Sequence, residues 1–545
     1  MSADRRVLLV GLDAGCLDVM QPMFDDGLLP NLQEVFDRGA SAPLESQVPQ
    51  WTPSAWPSLY TGVNPAKHGV FGFLTYDGYD WRISDATDIA ESTLWELLSE
   101  RGLRSVVVNA PVTHPPREFD GALIPGYIGP EDPATHPPGL LADVREAIGE
   151  YRVYGEDEFN RTTSDADRVP ASVRADEYKR LIRSRGEAFV YLTERFDPDF
   201  GFVEFQRTDT AVHDFPGDLD LLREVYRATD EQVGHAIEAF DPDVVLVASD
   251  HGIGPYEDVE FRVNEFLSRE GYVETVRDKE GSPSWIPLWK QDLKTPGESM
   301  SDPGDEPSVV DRVRDRTLTT AANTVERLGL TSVVKRLVPQ RTLRAADVPA
   351  RVDFENSRAY MRTSNELGIR INLAGREPAG VVSPDEYESL RLELIEKLST
   401  VRTPDGDPVF DAVVPREAVF EGPFIEAAPD IMLLPRDFET FPEAELRGDL
   451  FGPMYEPWNH KPYGVVAIAG DGFDSTASLG TPHLLDIAPT VLSLLGLPRS
   501  DRMEGAVLPG VTPTAEATYE RPVDRDSARD VGDDVESRLQ GLGYL

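Results

Sequence analysis

One cysteine, Cys16, stands in 545 residues, which rules out an intrachain disulfide. No apolar run approaches the length of a membrane span. The first residues, Met1-Ser2-Ala3-Asp4-Arg5-Arg6, lead straight into an apolar strand, without the apolar core and cleavage site of a secretory leader. The expectation is a cytoplasmic protein with no membrane span. Internal repeats and low-complexity tracts are missing as well. Lysine is scarce, with eight residues against 45 arginines.

Lys and Arg together number 53 and Asp and Glu 97, a net charge of −44. The acids are spread along the whole chain rather than gathered in a tail. A Lys-poor, uniformly acidic surface resembles that of proteins from salt-loving archaea, so a halophilic, haloarchaeal protein is expected. In near-molar salt the Debye length is roughly 3 Å and self-repulsion is screened. No basic patch is offered to a nucleic-acid polymer. The length exceeds one ordinary domain and allows a large core.

Apolar runs alternate with helical patterns through the first half. Strands are expected at Val7–Leu12, Ser105–Ala110, Phe200–Phe205 and Val244–Ser249. Helices are expected at Pro30–Asp37, Ser54–Thr61, Glu91–Arg101, Asp176–Arg195 and Leu219–Phe240. This alternation argues for an α/β fold, a mainly parallel sheet sandwiched by helices. The pattern breaks after about residue 275. Residues 276–352 read as an insertion or lid, with a helical stretch at 308–338. The α/β pattern resumes with Arg358-Ala359-Tyr360 and Ile369–Leu373, a helix at Pro384–Thr400, a strand at Tyr463–Ala469 and a helix at Leu485–Leu495. The catalytic domain is therefore expected to comprise 1–275 and 353–510, followed by a polar tail, 511–545.

Chemistry concentrates at the ends of the strands. Leu8-Leu9-Val10-Gly11-Leu12-Asp13 and Val247-Ala248-Ser249-Asp250-His251-Gly252 both close a buried run with a carboxylate. In an open α/β sheet, ligands bind beyond these carboxyl ends, and a bare Asp there needs a positive partner. Phe202-Val203-Glu204-Phe205-Gln206-Arg207-Thr208-Asp209 reads as a strand ending in Asp. His213, four residues on, shares its face if the segment is helical. His460 precedes the last strand. Asp13, Asp209, His213, Asp250, His251 and His460 are too many ligands for one tetrahedral ion and suit two. Two ions roughly 3.5–4 Å apart form a clamp for phosphoryl transfer. The mixed Asp/His set suits zinc first, with manganese or iron as alternatives, better than calcium or magnesium. Thr52, followed by Pro53, reads as a helix N-cap. The same position puts its hydroxyl in positive potential, where it can serve as a nucleophile.

These residues resemble the alkaline phosphatase superfamily, in particular its type I phosphodiesterase/nucleotide pyrophosphatase branch. The likeness rests on Gly11-Leu12-Asp13, Thr52-Pro53-Ser54-Ala55-Trp56, Thr61-Gly62-Val63-Asn64-Pro65-Ala66-Lys67-His68-Gly69, Asp209-x3-His213, Ser249-Asp250-His251-Gly252 and Asn459-His460. Asn372 to Pro378 and Asp486 to Thr490 are similar to predicted phosphohydrolase/phosphomutase members. The resemblance implies an alkaline-phosphatase-like fold and two divalent ions. Asp209, His213 and His460 would hold one ion. Asp13, Asp250, His251 and the Thr52 hydroxyl would hold the other. Thr52 would attack phosphorus in line, and water would release the phospho-threonine. A phosphodiester or pyrophosphate bond of a small phosphoester is the expected substrate.

Thr at the nucleophile position resembles the diesterase branch, where the superfamily's monoesterases and mutases use Ser and its sulfatases a modified Cys. Cys16 lies outside the nucleophile motif and reads as a small buried residue. Pro53 has no N–H for an oxyanion, so Ser54 or Lys67 would supply that contact, and Arg376 would bind a substrate phosphate or carboxylate. His68 reads as closing a turn, and His483 and Asp486 as a helix cap. The alternatives are a phosphomutase or phosphomonoesterase of the same superfamily, and a non-catalytic metal-binding pseudoenzyme. Against the last stands a complete set of ligands.

Overall fold

A computed structural model of the chain describes residues 5–155, 170–277 and 350–519. The expected helix at 308–338, nearly all of the expected insertion and most of the tail lie outside the described residues. Seven strands form the central sheet: β1 (Val7–Leu12), β2 (Ala40–Glu45), β3 (Ser105–Val108), β4 (Gly121–Ile124), β5 (Phe200–Phe205), β6 (Val244–Ala248) and β7 (Tyr463–Gly470). Their order is β2-β7-β6-β1-β5-β3-β4. All run parallel except β7, which is antiparallel to β2 and β6 on either side. The fold is mixed α/β with a mainly parallel sheet flanked by helices.

The strands at the centre have no polar face. Every residue of β1, β3, β5 and β6 is buried, as expected of parallel strands covered on both sides. Each fully buried Val, Leu or Phe contributes about 1.5–3 kcal/mol of transfer free energy. On one side α2 (Ala171–Phe196) packs along α4 (Leu219–Phe240). A second group gathers around α1 (Thr52–Thr61), joined by the helix Ile487–Leu494. The short α3 (Arg207–Asp214) follows β5 directly and touches α4.

A second core lies apart from the sheet. The strands Ala359–Tyr360, Gly368–Ile371, Ile431–Pro435 and Phe410–Pro415 form an antiparallel sheet in that order. Leu390, Leu394 and Leu398 of the helix Pro384–Ser399 join its apolar cluster. Arg358-Ala359-Tyr360 and Ile369–Leu373 thus supply strands where strands are expected, but these pair with each other and not with the central sheet. Thr275–Val276 pairs antiparallel with Arg351–Val352, so the chain leaves and re-enters the described structure at one point. The hairpin at Leu74–Ile83 joins the two parts. Tyr79 Oη donates to Asn372 Oδ1 at 2.8 Å, and its ring stacks on Phe354.

Candidate metal centre

Strands β6, β1 and β5 are neighbours, so the segments that follow them emerge side by side at one sheet edge. Asp13 follows β1, Asp250 follows β6, and Asp209 lies in the first turn of α3 just after β5. Backbone contacts lock these ends together. Thr208 Oγ1 donates to Asp13 O at 2.6 Å, Ser46 Oγ donates to Asp250 O at 2.6 Å, and Ala14 N–H donates to Asp250 Oδ1 at 3.3 Å. His213 stands one helical turn beyond Asp209, as the spacing predicts, with its Nε2 3.2 Å from Asp209 Oδ1.

His460 comes from the strand Trp458–Lys461, which pairs with Gly252–Pro255 directly after His251. That pairing stacks the two imidazoles, with centroids 3.7 Å apart. His460 Nε2 is 3.0 Å from His213 Nε2 and 3.4 Å from Asp209 Oδ1. His251 Nε2 is 3.2 Å from Asp250 Oδ2 and 3.4 Å from Asp13 Oδ1. Thr52 heads α1, and its hydroxyl oxygen lies 3.3 Å from His251 Nε2 and 3.5 Å from Asp13 Oδ1. Thr52, Asp13, Asp209, Asp250, His251 and His460 are buried, and His213 nearly so. Two groups could each hold a cation: Asp13, Asp250 and His251, and Asp209, His251 and His460.

The electrostatics match a cation-binding cluster. Burial, then Asp250 and Asp209, push the Asp13 carboxyl well above the usual range. Burial and Asp209 do the same to Asp250. Burial and the neighbouring His460 hold His251 well below its ordinary value. Burial opposes charge on His213, but Asp209 and Glu456 outweigh it and raise the ring to about 10. Burial would also raise Asp209, yet His213 and His460 hold it well down. Asp13 Oδ2, Asp209 Oδ1 and Asp250 Oδ2 are buried without a well-aligned hydrogen bond. The buried oxygens of Asp13 and Asp250, with imidazole Nε2 atoms aimed into the same space, are costly unless a cation satisfies them. The donor set therefore fits divalent metal ions of the zinc type.

The sequence model described as type I phosphodiesterase/nucleotide pyrophosphatase matches residues 7–449. The chain belongs to that family. Type I phosphodiesterases and nucleotide pyrophosphatases are metal-dependent phosphoester hydrolases, and the chain is an enzyme of that class. Its structure is similar to a phosphonoacetate hydrolase of Sinorhizobium meliloti 1021 in complex with phosphonoformate, at 16% identity and a TM-score of 0.47, covering 86% of this chain and 90% of that one. It is also similar to a murine ectonucleotide pyrophosphatase/phosphodiesterase 5, an inactive variant in complex with AMP. There the identity is 11% and the TM-score 0.47, covering 95% of this chain and 98% of that one. A comparison with curated proteins gives no significant match.

Three residues named from the phosphodiesterase pattern do not turn toward the cluster. Ser54 Oγ is 2.9 Å from Pro49 O and 3.0 Å from Trp51 O, and its N–H donates to Trp51 O. Lys67 pairs with Glu504 at 3.2 Å. Arg376 stays within the second core, bidentate on Asp430 at 2.6 and 2.7 Å and donating to Glu377 and Ile371 O. Each is spoken for by a local partner of opposite charge or a backbone carbonyl. Glu204, in contrast, went unmarked in the sequence. It lies within β5, fully buried, where Asn109 Nδ2 donates to its Oε2 at 2.6 Å. A single charge inside Phe200-Gly201-Phe202-Val203-Glu204-Phe205 was the available signal.

Proposed function

We propose that this chain hydrolyses a phosphodiester or pyrophosphate bond of a small molecule through a phospho-Thr52 intermediate. In this reading Asp209, His213 and His460 hold one divalent ion. Asp13, Asp250, His251 and Thr52 hold the other, with His251 standing between the two groups. The observation that supports it is the convergence of seven side chains from five separate segments on one buried sheet edge. Bound ions would lower the pKa of a ligated hydroxyl and offset charge that develops on the phosphoryl oxygens.

The chain's own residues supply position and polarity. Thr52 is the first residue of α1, where the helix dipole favours negative charge. Its N–H has no carbonyl a turn earlier to bond to. Pro53 has no N–H, and those of Ser54 and Ala55 both donate to Trp51 O. Thr52 therefore offers both nucleophile and the free backbone donor of that turn. Its Oγ1 forms the new bond to phosphorus as the bond to the leaving-group oxygen breaks, and the hydroxyl proton ends on that departing oxygen. Water then attacks the phospho-threonine, and Thr52 Oγ1 departs with a proton. Burial of the carboxylates around it keeps the reaction out of bulk water.

The test uses bis-p-nitrophenyl phosphate and p-nitrophenyl phosphate in high KCl, with and without chelator. Turnover of the diester is expected to exceed that of the monoester and to vanish with chelator. Thr52→Ala should lose turnover by roughly 10³-fold or more while metal content is largely retained. Undiminished turnover in Thr52→Ala would remove it from the mechanism. Turnover of the monoester alone would overturn the substrate class.

A further inference from the structure

The three histidines of the cluster all present Nε2 inward, and what lies behind each ring differs. His251 Nδ1 is 2.9 Å from Gly252 O, and His460 Nδ1 is 3.0 Å from Gln50 O. In both cases a backbone carbonyl accepts from Nδ1–H, which fixes the tautomer and leaves the Nε2 lone pair facing the cluster. No substitution of a side chain removes those acceptors. Among the described residues no such carbonyl faces His213. Its Nδ1 is buried without a well-aligned hydrogen bond, and the oxygen that faces it is Glu456 Oε2 at 3.6 Å.

Glu456 is placed for this by its own tether. Asn459 Nδ2 donates to the same Oε2 at 3.2 Å, and Asn459 N-terminally adjoins His460 on the strand that carries it. The carboxylate, Asn459 and His460 are thus on one short segment, facing His213 on α3. A neutral His213 that offers Nε2 to a cation must carry its proton on Nδ1 and needs an acceptor there. The separation of 3.6 Å exceeds a hydrogen bond, and Glu456, 31% exposed, is the carboxylate set against Nδ1.

Building on the two-ion reading above, we propose that Glu456 is the positioning residue of His213. It accepts the Nδ1 proton and holds the ring so that Nε2 is aimed at the divalent cation shared with Asp209 and His460. It touches neither substrate nor cation. Its role is confined to one of the two ions, because His251 and His460 are oriented by backbone.

The experiment titrates the full chain with zinc against a competing chelator and records the visible spectrum of the cobalt-substituted protein. Wild type, Glu456→Ala and Glu456→Gln are compared. Wild type should bind two ions. Glu456→Ala should bind one of them about 10–100-fold more weakly, with the other unchanged and the cobalt bands of the weakened site altered. Glu456→Gln keeps an acceptor oxygen and should recover most of the affinity. Thermal unfolding of the metal-free proteins should coincide, which separates positioning from a role in folding. Wild-type affinity at both sites in Glu456→Ala would overturn the proposal, as would equal weakening of both ions. If wild type itself binds no ion, the two-ion reading falls first, and this inference with it.

Discussion

Histidine is rare in this chain, eight residues in 545, and three of them meet at one point. Three of the others do ordinary structural work through hydrogen bonds. His68 is fully buried with Nε2 2.9 Å from Ser58 Oγ, and Val70 N–H donates to its Nδ1 as the turn closes. His483 caps the helix that follows, accepting from Leu485 N–H. His136 Nε2 is 2.7 Å from Phe119 O. His114 is different, because burial moves it from the ordinary 6.5 to about 4 with no opposing charge. The unfolded chain takes up a proton near pH 6.5, the folded one near pH 4. Stability from the neutral ring is whole above about pH 6.5, drains as pH falls, and is gone below about pH 4. Denaturant unfolding at a pH above and a pH between those values should therefore show wild type losing more stability than His114→Asn. Equal losses would mean that His114 does not drive this part of the acid response.

Buried strands announce themselves where nearly every position is apolar, so β1, β6 and, despite Glu204, β5 were legible with bounds close to those observed. The edge strand β2 was not, because its alternating pattern includes Pro43 and exposed Ser41 and Glu45, and β4 is only four residues long. In the second core, Ile369-Arg370-Ile371 reads the same whether its neighbours run parallel or antiparallel, and only long-range pairing decides. The convergence of the Asp and His side chains was legible because they sit at strand ends with short, typed spacings. Glu456 was not, since its role depends on a contact across 243 positions of chain to His213 (456 − 213). Gly252 joins the two levels. A Cβ there would lie 2.1 Å from Tyr463 O, backbone that cannot move without displacing β7. The motif Ser249-Asp250-His251-Gly252 thus ends in glycine so that β7 can approach beside His251. Gly252→Ala should destabilise the fold by about 1–3 kcal/mol through overpacking, and should weaken zinc binding as Asp250 and His251 shift. Unchanged stability together with unchanged zinc affinity would show that the close approach is not needed.

A charge of −44 on one chain acts on all of these parts at once. Within the described structure many acids are paired, and some are buried in dense networks: Asp430 accepts from Arg376, Tyr387 and the Ile371 N–H, with Arg416 nearby. Such pairs survive added salt because solvent ions do not reach them. The 97 acids outnumber the 53 bases, and the net negative charge repels itself in the compact state. Between about 0.1 M and about 1 M salt the Debye length shrinks from about 10 to about 3 Å. Screening should therefore raise Tm steeply over that range and then level off, since little repulsion remains to be removed. Stabilisation by exclusion of a cosolute from the surface behaves otherwise and keeps rising with concentration. A thermal-unfolding series in KCl tells the two apart. A plateau beyond about 1 M assigns the effect to the acidic surface, and a steady climb, or no rise at all, would show that self-repulsion does not limit the stability of this fold.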